Sequence, residues 1–453
     1  MSQSTGGALS EQEYQKLDRA WFGHPAGLST CFFTEMWERM SYYGMRALLI
    51  LYMTEATTSL NPGMGFDVQT AGTIYGFYTF FVYFMALPGG IIADKWLGQY
   101  RTVAVGGFLI VGGQFLLAVG QVPTFFAGLV CIVTGTGLLK PNISTMVGSL
   151  YPEGDARRDG GFSIFYMGIN VGAAIAPLVC GTLGQKVGWG WGFAAAGFGM
   201  ILGLIQYRFG KKRLLPSLER IAAQHRAKEE QMRGDGEQKT GFMELMRSFT
   251  PQEWKRMGVI MVLFVFSVMF WAAFEQAGTS LNLFADRMTN TNVLGWNFPT
   301  TWFQFINPFY IIVFAPIYAK LWVWLDRRDK EPAAPLKFVY GMILVGLGFL
   351  LILPAASKAQ DSGMQVSMFW LIGVYLLHTL GELSLSPVSL SMVTKLAPQR
   401  IVGSMMGIWF LSYALGNLIA GSVGGLFETL PLVKLFGTVF VCTCLLYTSD
   451  AAD

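Results

Sequence analysis

Apolar stretches of about 20 residues, the length that crosses a bilayer's hydrocarbon core, recur along the whole chain and are broken by short polar turns. The pattern predicts twelve helices, the first six over 28–55, 70–93, 100–120, 123–149, 160–186 and 190–208. The second six fall over 257–286, 298–325, 335–354, 366–396, 401–427 and 431–448. Between the two sets lies a charge-rich, helix-permissive segment, 209–256, with no apolar run long enough for a span. The chain thus divides into a polar tail (1–27), a six-helix unit (28–208), a linker (209–256), a second six-helix unit (257–448) and a short end (449–453). The closing YTSDAAD reads as a truncation or cloning scar. The first 25 residues are polar and hold no signal-peptide core, so insertion is expected to begin at the first span.

Composition agrees. Of 453 residues, 53% are hydrophobic and only 13% are charged, too few charges to wet the surface of a soluble chain this long. The class expected is an all-α polytopic membrane protein. Cys31, Cys131, Cys180, Cys442 and Cys444 all fall in apolar spans without a CxxC pair, which predicts free thiols and neither a disulfide framework nor a metal site.

Charge placement orients the chain. With the N-terminus inside, the inner loops hold Lys95, Arg101, Arg157, Arg158, the linker cluster, Arg327, Arg328, Lys330, Lys337, Lys395 and Arg400. The outer loops keep Lys186, Arg287, Lys358 and Lys434. Cytoplasmic loops carry the excess of Lys and Arg, so both termini are expected in the cytoplasm.

The two halves echo each other. KPNISTMVGSLYP closes the fourth span and SPVSLSMVTKLAP the tenth, matching Pro141 and Pro152 to Pro387 and Pro398. FYMGINVG at 165–172 likewise aligns with WFLSYALG at 409–416. Corresponding elements in two six-helix halves indicate an internal repeat, and a parallel repeat with a midplane site describes a major facilitator fold of two pseudo-symmetric bundles. The loop GGIIADKWLGQYR, between spans two and three, resembles that superfamily's signature. Its Gly89 and Gly98 suit close approach and a tight turn. Asp94 and Arg101 suit pairing or capping of neighbouring helix ends.

One span contradicts its surroundings. EMWERMSYYGMR at 35–46 puts two carboxylates and two guanidiniums where each costs at least about 2.5–3.5 kcal/mol. Glu35, Arg39, Tyr42 and Arg46 follow helical spacings of four, three and four, and Glu38 and Tyr43 flank that stripe. Such convergence points to a polar interior. Lys140 adds a cation in the same half, while Glu275 and Glu382 lie deep in spans seven and ten. One side of the interface is cationic and the other anionic, which fits a zwitterion. Cross-half pairs Arg46–Glu275 and Lys140–Glu382 could then close opposite ends of a cavity.

These motifs resemble those of the proton-coupled oligopeptide transporter family (POT/PTR) of the major facilitator superfamily. EMWERMSYYG is similar to that family's E-x-x-E-R-F-x-Y-Y-G, with Met40 for the usual Phe, and FYMGIN at 165–170 to its F-Y-x-x-I-N. FWAAFEQAG, INPF at 306–309 and GELSLSP at 381–387 follow in order. The resemblance implies proton-driven import of di- and tripeptides, and of peptide-like drugs, by alternating access. It implies no cofactor and no nucleic-acid partner, with a monomer working in the cell membrane. Glu35, Glu38, Arg39 and Lys140 would couple protons. Arg39, Arg46 and Lys140 would take the peptide carboxylate, and Asn170, Asn307 and Glu382 its amino end. Tyr42, Tyr43, Tyr83, Trp409 and Phe410 would line side-chain pockets. The His that animal members carry in the second span is absent here, which shifts proton work onto the first span. Many bacterial members insert two further helices between the halves; this linker holds no apolar run long enough for a span, which favours twelve.

Other readings stay open on residues alone. A relative moving another anion or zwitterion would use the same cations, though Glu382 favours an amino-bearing solute. A nutrient receptor could keep the fold, but would not need the first-span carboxylates. An intramembrane hydrolase lacks a convergent nucleophile and base. His378, one turn before Glu382, is a proton-transfer candidate of lower rank. TGTGLLK at 134–140 lacks the phosphate-loop spacing, and the Asn142 sequon lies inside a span.

Overall fold

The computed structural model describes residues 11–152, 154–234, 249–398 and 401–444. Arg400, linker residues 235–248 and the YTSDAAD end lie outside the described residues. A short helix α1 (Glu11–Asp18) precedes the first half, which comprises α2 (Ala26–Thr54), α3 (Val68–Leu97), α4 (Gln99–Ala118), α5 (Val122–Ser149), α6 (Arg157–Lys186) and α7 (Trp189–Phe209). The linker contributes α8 (Lys211–Gly234). The second half comprises α9 (Pro251–Met288), α10 (Thr300–Asp326), α11 (Ala334–Ser362), α12 (Phe369–Leu396), α13 (Val402–Gly424) and α14 (Leu432–Cys444). Ten of these helices are long and apolar enough to cross a membrane. The other two of the twelve are α2, which carries Glu35, Glu38, Arg39 and Arg46, and the shorter α14. The chain is a multi-pass membrane protein, and residues such as Phe108, Val130, Phe198 and Val262 stand exposed on its apolar flanks.

Boundaries moved for identifiable reasons. α9 begins at Pro251 rather than 257 because Thr250 and Glu253 form a capping box around a Pro in the first turn. α11 runs through Pro354, read above as its end, to Ser362 and stops at Gly363 in the left-handed region. In the signature loop, α3 finishes in a wide turn over Ala93–Leu97, and Gly98 (φ 73°) reverses the chain into α4. Asp94 accepts from Gln99 Nε2 at 2.8 Å, and Arg101 is exposed. A side chain on Gly89 would meet the Gly137 carbonyl of α5 at 2.0 Å. Two-residue strands decorate the loops: β1 (Thr289–Asn290) pairs in parallel with β4 (Val366–Ser367), and β2 (Asn292–Val293) antiparallel with β3 (Trp296–Asn297).

Two long seams join the halves. α3 packs on α13, and α6 packs on α10. The second helix of each half therefore faces the fifth of the other, as a twofold relation between halves requires. On the first seam a Cβ at Gly72 would lie 2.5 Å from the Gly421 carbonyl, so backbone touches backbone. That contact sits at the face away from the linker. α8 lies against the first half, burying Leu214, Ser217 and Ile221 toward α5, where Ser217 donates to Met146 O at 2.7 Å. The tail is pinned nearby: Arg157 holds the Asp18 carboxylate at 3.0 Å and the Gly23 carbonyl at 3.3 Å, and His24 Nδ1 lies 2.9 Å from the Tyr151 hydroxyl.

Candidate functional site

α2 carries its charges on a buried stripe because its other faces pack on α6 and α7. Glu35, Glu38 and Arg39 are almost fully buried. Arg39 Nε lies 3.1 Å from Glu35 and hydrogen-bonds Glu38, while its guanidinium sits 5.1 Å over the Tyr42 ring. One oxygen of each carboxylate and Nη2 of Arg39 have no hydrogen-bond partner. The cluster is thus a cation whose back is held by two carboxylates and whose front reaches a cavity.

That cavity, about 220 Å³, lies between the halves. Arg39, Arg46 and Lys140 line it from the first half, Glu275 and Glu382 from the second. The structure therefore brings three cations of the first half and two carboxylates of the second around one cavity. Asn170 and Asn307 line it as well; Asn307 donates to Glu382 at 3.1 Å and to Thr379 at 3.0 Å, and Asn170 to the Tyr166 carbonyl at 3.0 Å. Tyr43 and Tyr83 complete the expected lining.

Glu35 and Glu38 stand behind Arg39, off the cavity wall. Other expectations fail. Tyr42 is buried under the Arg39 guanidinium, edge-on to Tyr43. Trp409 is fully buried, its ring 6.4 Å from Phe338 of α11, and Phe410 is exposed outside the cavity. Each helix step turns a side chain by about 100°, and α13 presents Tyr413 to the cavity instead, its ring tilted by 31° against Trp271 with centroids 4.3 Å apart. Lys140 and Glu382 do not pair either. Among the described residues Lys140 has no carboxylate within 4.0 Å; its ammonium sits 4.5 Å over the Tyr83 ring.

Much of the wall escaped the sequence reading. Tyr166, Trp271, Gln304, Ile311, Tyr375 and Ser386 all line the cavity. They lie three, four or seven residues from Asn170, Glu275, Asn307 or Glu382, so helical spacing from the named charges was the available signal. His378 also lines it, with its ring 4.9 Å from Phe349 and 6.2 Å from Phe274.

One end of the cavity is shut. At the face away from the linker Arg46 pairs with Glu275 and donates from Nε to the Tyr75 hydroxyl at 2.5 Å. Asn282 donates to Ala47 O at 3.0 Å just beyond. No cross-half ion pair closes the linker-side end among the described residues.

A twelve-helix membrane protein in two halves, with opposed charges on the walls of a central cavity sealed at one end, is a carrier by construction. Its relatives agree. The family model described as POT family matches residues 100–218 and 223–439. The chain is 40% identical over 458 residues to the peptide transporter YePEPT of Yersinia enterocolitica, covering 90% of this chain and 89% of that one. It is 33% identical over 478 residues to the di-/tripeptide transporter of Lactococcus lactis subsp. cremoris, covering 94% of each. The crystal structure of a mutant peptide transporter POT in complex with alafosfalin superposes with a TM-score of 0.82 at 38% identity, over 97% of both chains. The protein belongs to the POT family of membrane transporters; it is not an enzyme.

Proposed function

We propose that this protein imports di- and tripeptides, and peptide-like compounds, by proton symport. The observation that carries the reading is the opposition of Arg39 and Lys140 to Glu382 across one cavity. A short peptide is a zwitterion, and its ends would lie against those two walls. Its carboxylate meets Arg39 and Lys140, with Arg46 beyond, while Asn307 and Asn170 support Glu382 at the amino end. An extended chain rises about 3.3–3.6 Å per residue, so two or three residues span such a gap and a long peptide does not.

Coupling follows from the double-sided Arg39. Its cationic field holds the carboxylates of Glu35 and Glu38. A peptide carboxylate drawn to Arg39 weakens that field and favours proton uptake by the glutamates. Peptide and proton then load together, and the neutralised cluster lets the halves rock. Each charge moved down about 100 mV supplies about 2.3 kcal/mol, enough for roughly fiftyfold accumulation. The gradient is the only energy source required, and one chain holds the whole site, so a monomer suffices. The basic linker face is assigned to the cytoplasm of the cell membrane on its Lys and Arg excess. The conformation described is then closed to the outside.

The test is uptake of labelled dialanine into liposomes holding the purified protein, with an inward proton gradient. Accumulation above equilibrium that a protonophore and Glu38→Gln both abolish supports the reading. Dipeptide binding without movement under any gradient would replace it with a receptor.

A further inference from the structure

The closed end of the cavity holds a second lock, built on a neutral amide. Gln185 lies near the end of α6, on the seam with α10. A carboxamide has two N–H donors and an oxygen with two lone pairs. Here all four go to the other half. Nε2 donates to Thr300 Oγ1 at 2.7 Å and reaches Asp286 Oδ1 at 3.4 Å; Oε1 accepts from Thr301 N at 3.1 Å and from Thr301 Oγ1 at 3.0 Å. Thr300 in turn donates its hydroxyl to Asp286 at 2.8 Å. An ionised carboxylate can only accept, so the Thr300 hydroxyl points its hydrogen at Asp286 and leaves its own oxygen free to accept from Gln185. Gly181, one turn earlier, admits this approach: a Cβ there would lie 2.1 Å from Thr301 Oγ1. Trp302 Nε1 donating to Thr182 at 2.9 Å and Lys186 to Asn297 O at 2.9 Å flank the amide.

We propose that Gln185 is a charge-independent latch that sets how often the cavity opens at the face away from the linker, with Asp286 as its positioning residue. The proposal rests on the reading that the halves rock. Arg46–Glu275 answers to any charge that enters the cavity. Gln185 does not, because its partners are hydroxyls, a backbone N–H and a carboxylate outside the cavity lining. Two locks with different keys let the substrate release one while the other keeps the empty carrier shut.

Spin labels on Leu60→Cys and Met364→Cys, both exposed on that face in opposite halves, report the opening. The background lacks Cys131, Cys442 and Cys444; Cys31 and Cys180 are buried. Gln185→Ala is expected to lengthen the label distance in peptide-free protein at every pH. Gln185→Glu places a second carboxylate against Asp286, with Glu55, Lys186 and the Glu428-paired Arg287 the other charged groups around it. It should open the seam at neutral pH and restore the wild-type distance in acid. In uptake both variants should lower KM for external dialanine together with kcat, as weaker closure demands. Gln185→Asn, too short to reach both threonines, guards against a misfolded alanine variant. Distances unchanged in all three variants, or an acid-insensitive Gln185→Glu, would overturn the latch. Failure of dialanine uptake by the wild type would instead strike at the transport reading.

Discussion

Arg46 on α2 and Glu275 on α9 meet across the boundary between the two halves, with Tyr75 of α3 holding the guanidinium from the side. Both side chains are buried. Taking one partner away from such a pair costs about 3–5 kcal/mol, because a charge is left without compensation. Gradient-driven uptake by Arg46→Ala and by Glu275→Gln is expected to fall at least about tenfold. The double variant Arg46→Ala/Glu275→Gln should lose much less than the sum of the singles, since neighbours in contact are not additive. Strict additivity in uptake would mean that the pair does not act as a unit.

Glu38→Gln keeps the shape of the cluster around Arg39 but cannot take up or release a proton. Accumulation driven by a proton gradient should vanish, while counterflow of dipeptide between equal pools stays within about threefold of wild type. Loss of both activities would make Glu38 a binding residue and not a coupling one.

Tyr413 and Trp409 share a helix but not an environment. Tyr413→Ala removes cavity wall and should raise the dissociation constant for dialanine about tenfold with a small change in melting temperature. Trp409→Ala empties a packed site, a loss of about 3–5 kcal/mol, and the surviving folded protein should bind dialanine normally. Thermal unfolding in detergent and equilibrium binding separate the two; the opposite assignment of effects would reinstate Trp409 as pocket lining.

The tail clamp has its own pH signature outside the membrane. Hydrogen bonds from the Arg157 side chain and backbone hold the Asp155 carboxyl below the ordinary aspartate range. A carboxyl depressed in the folded state contributes above its unfolded pKa and loses that contribution as pH falls through the folded value. The protection of amides 18–24, taken relative to the unstructured chain at the same pH, should therefore be steady across neutral pH and fall only below about pH 4. Arg157→Ala should lower it at every pH. Loss of protection already at neutral pH would mean that Asp155 does not hold the clamp.

How far the sequence reached depends on the kind of signal. The charges of α2 were legible because they are costly there, and Glu35, Arg39 and Arg46 share one helical stripe on any reading. The opposing Glu275 and Glu382 were legible for the same reason. Aromatic residues carry no such cost: Trp409 and Tyr413 are equally at home in a core or a wall, and only the rotation of α13 decides between them. Pro354 misled because a membrane helix tolerates a proline that its neighbours can accommodate. The Gln185 latch left no trace, since Gln185, Thr300 and Thr301 are ordinary loop-end residues until the two halves come together.

The glycine contact between α3 and α13 carries a practical corollary. Closure at that seam depends on two missing methyl groups, one at Gly72 and one at Gly421. A single added carbon there acts as a wedge, far from substrate and proton alike. The opposite shape of the carrier can thus be captured for imaging without an inhibitor, an antibody or a gradient, by writing alanine where the chain has left a gap.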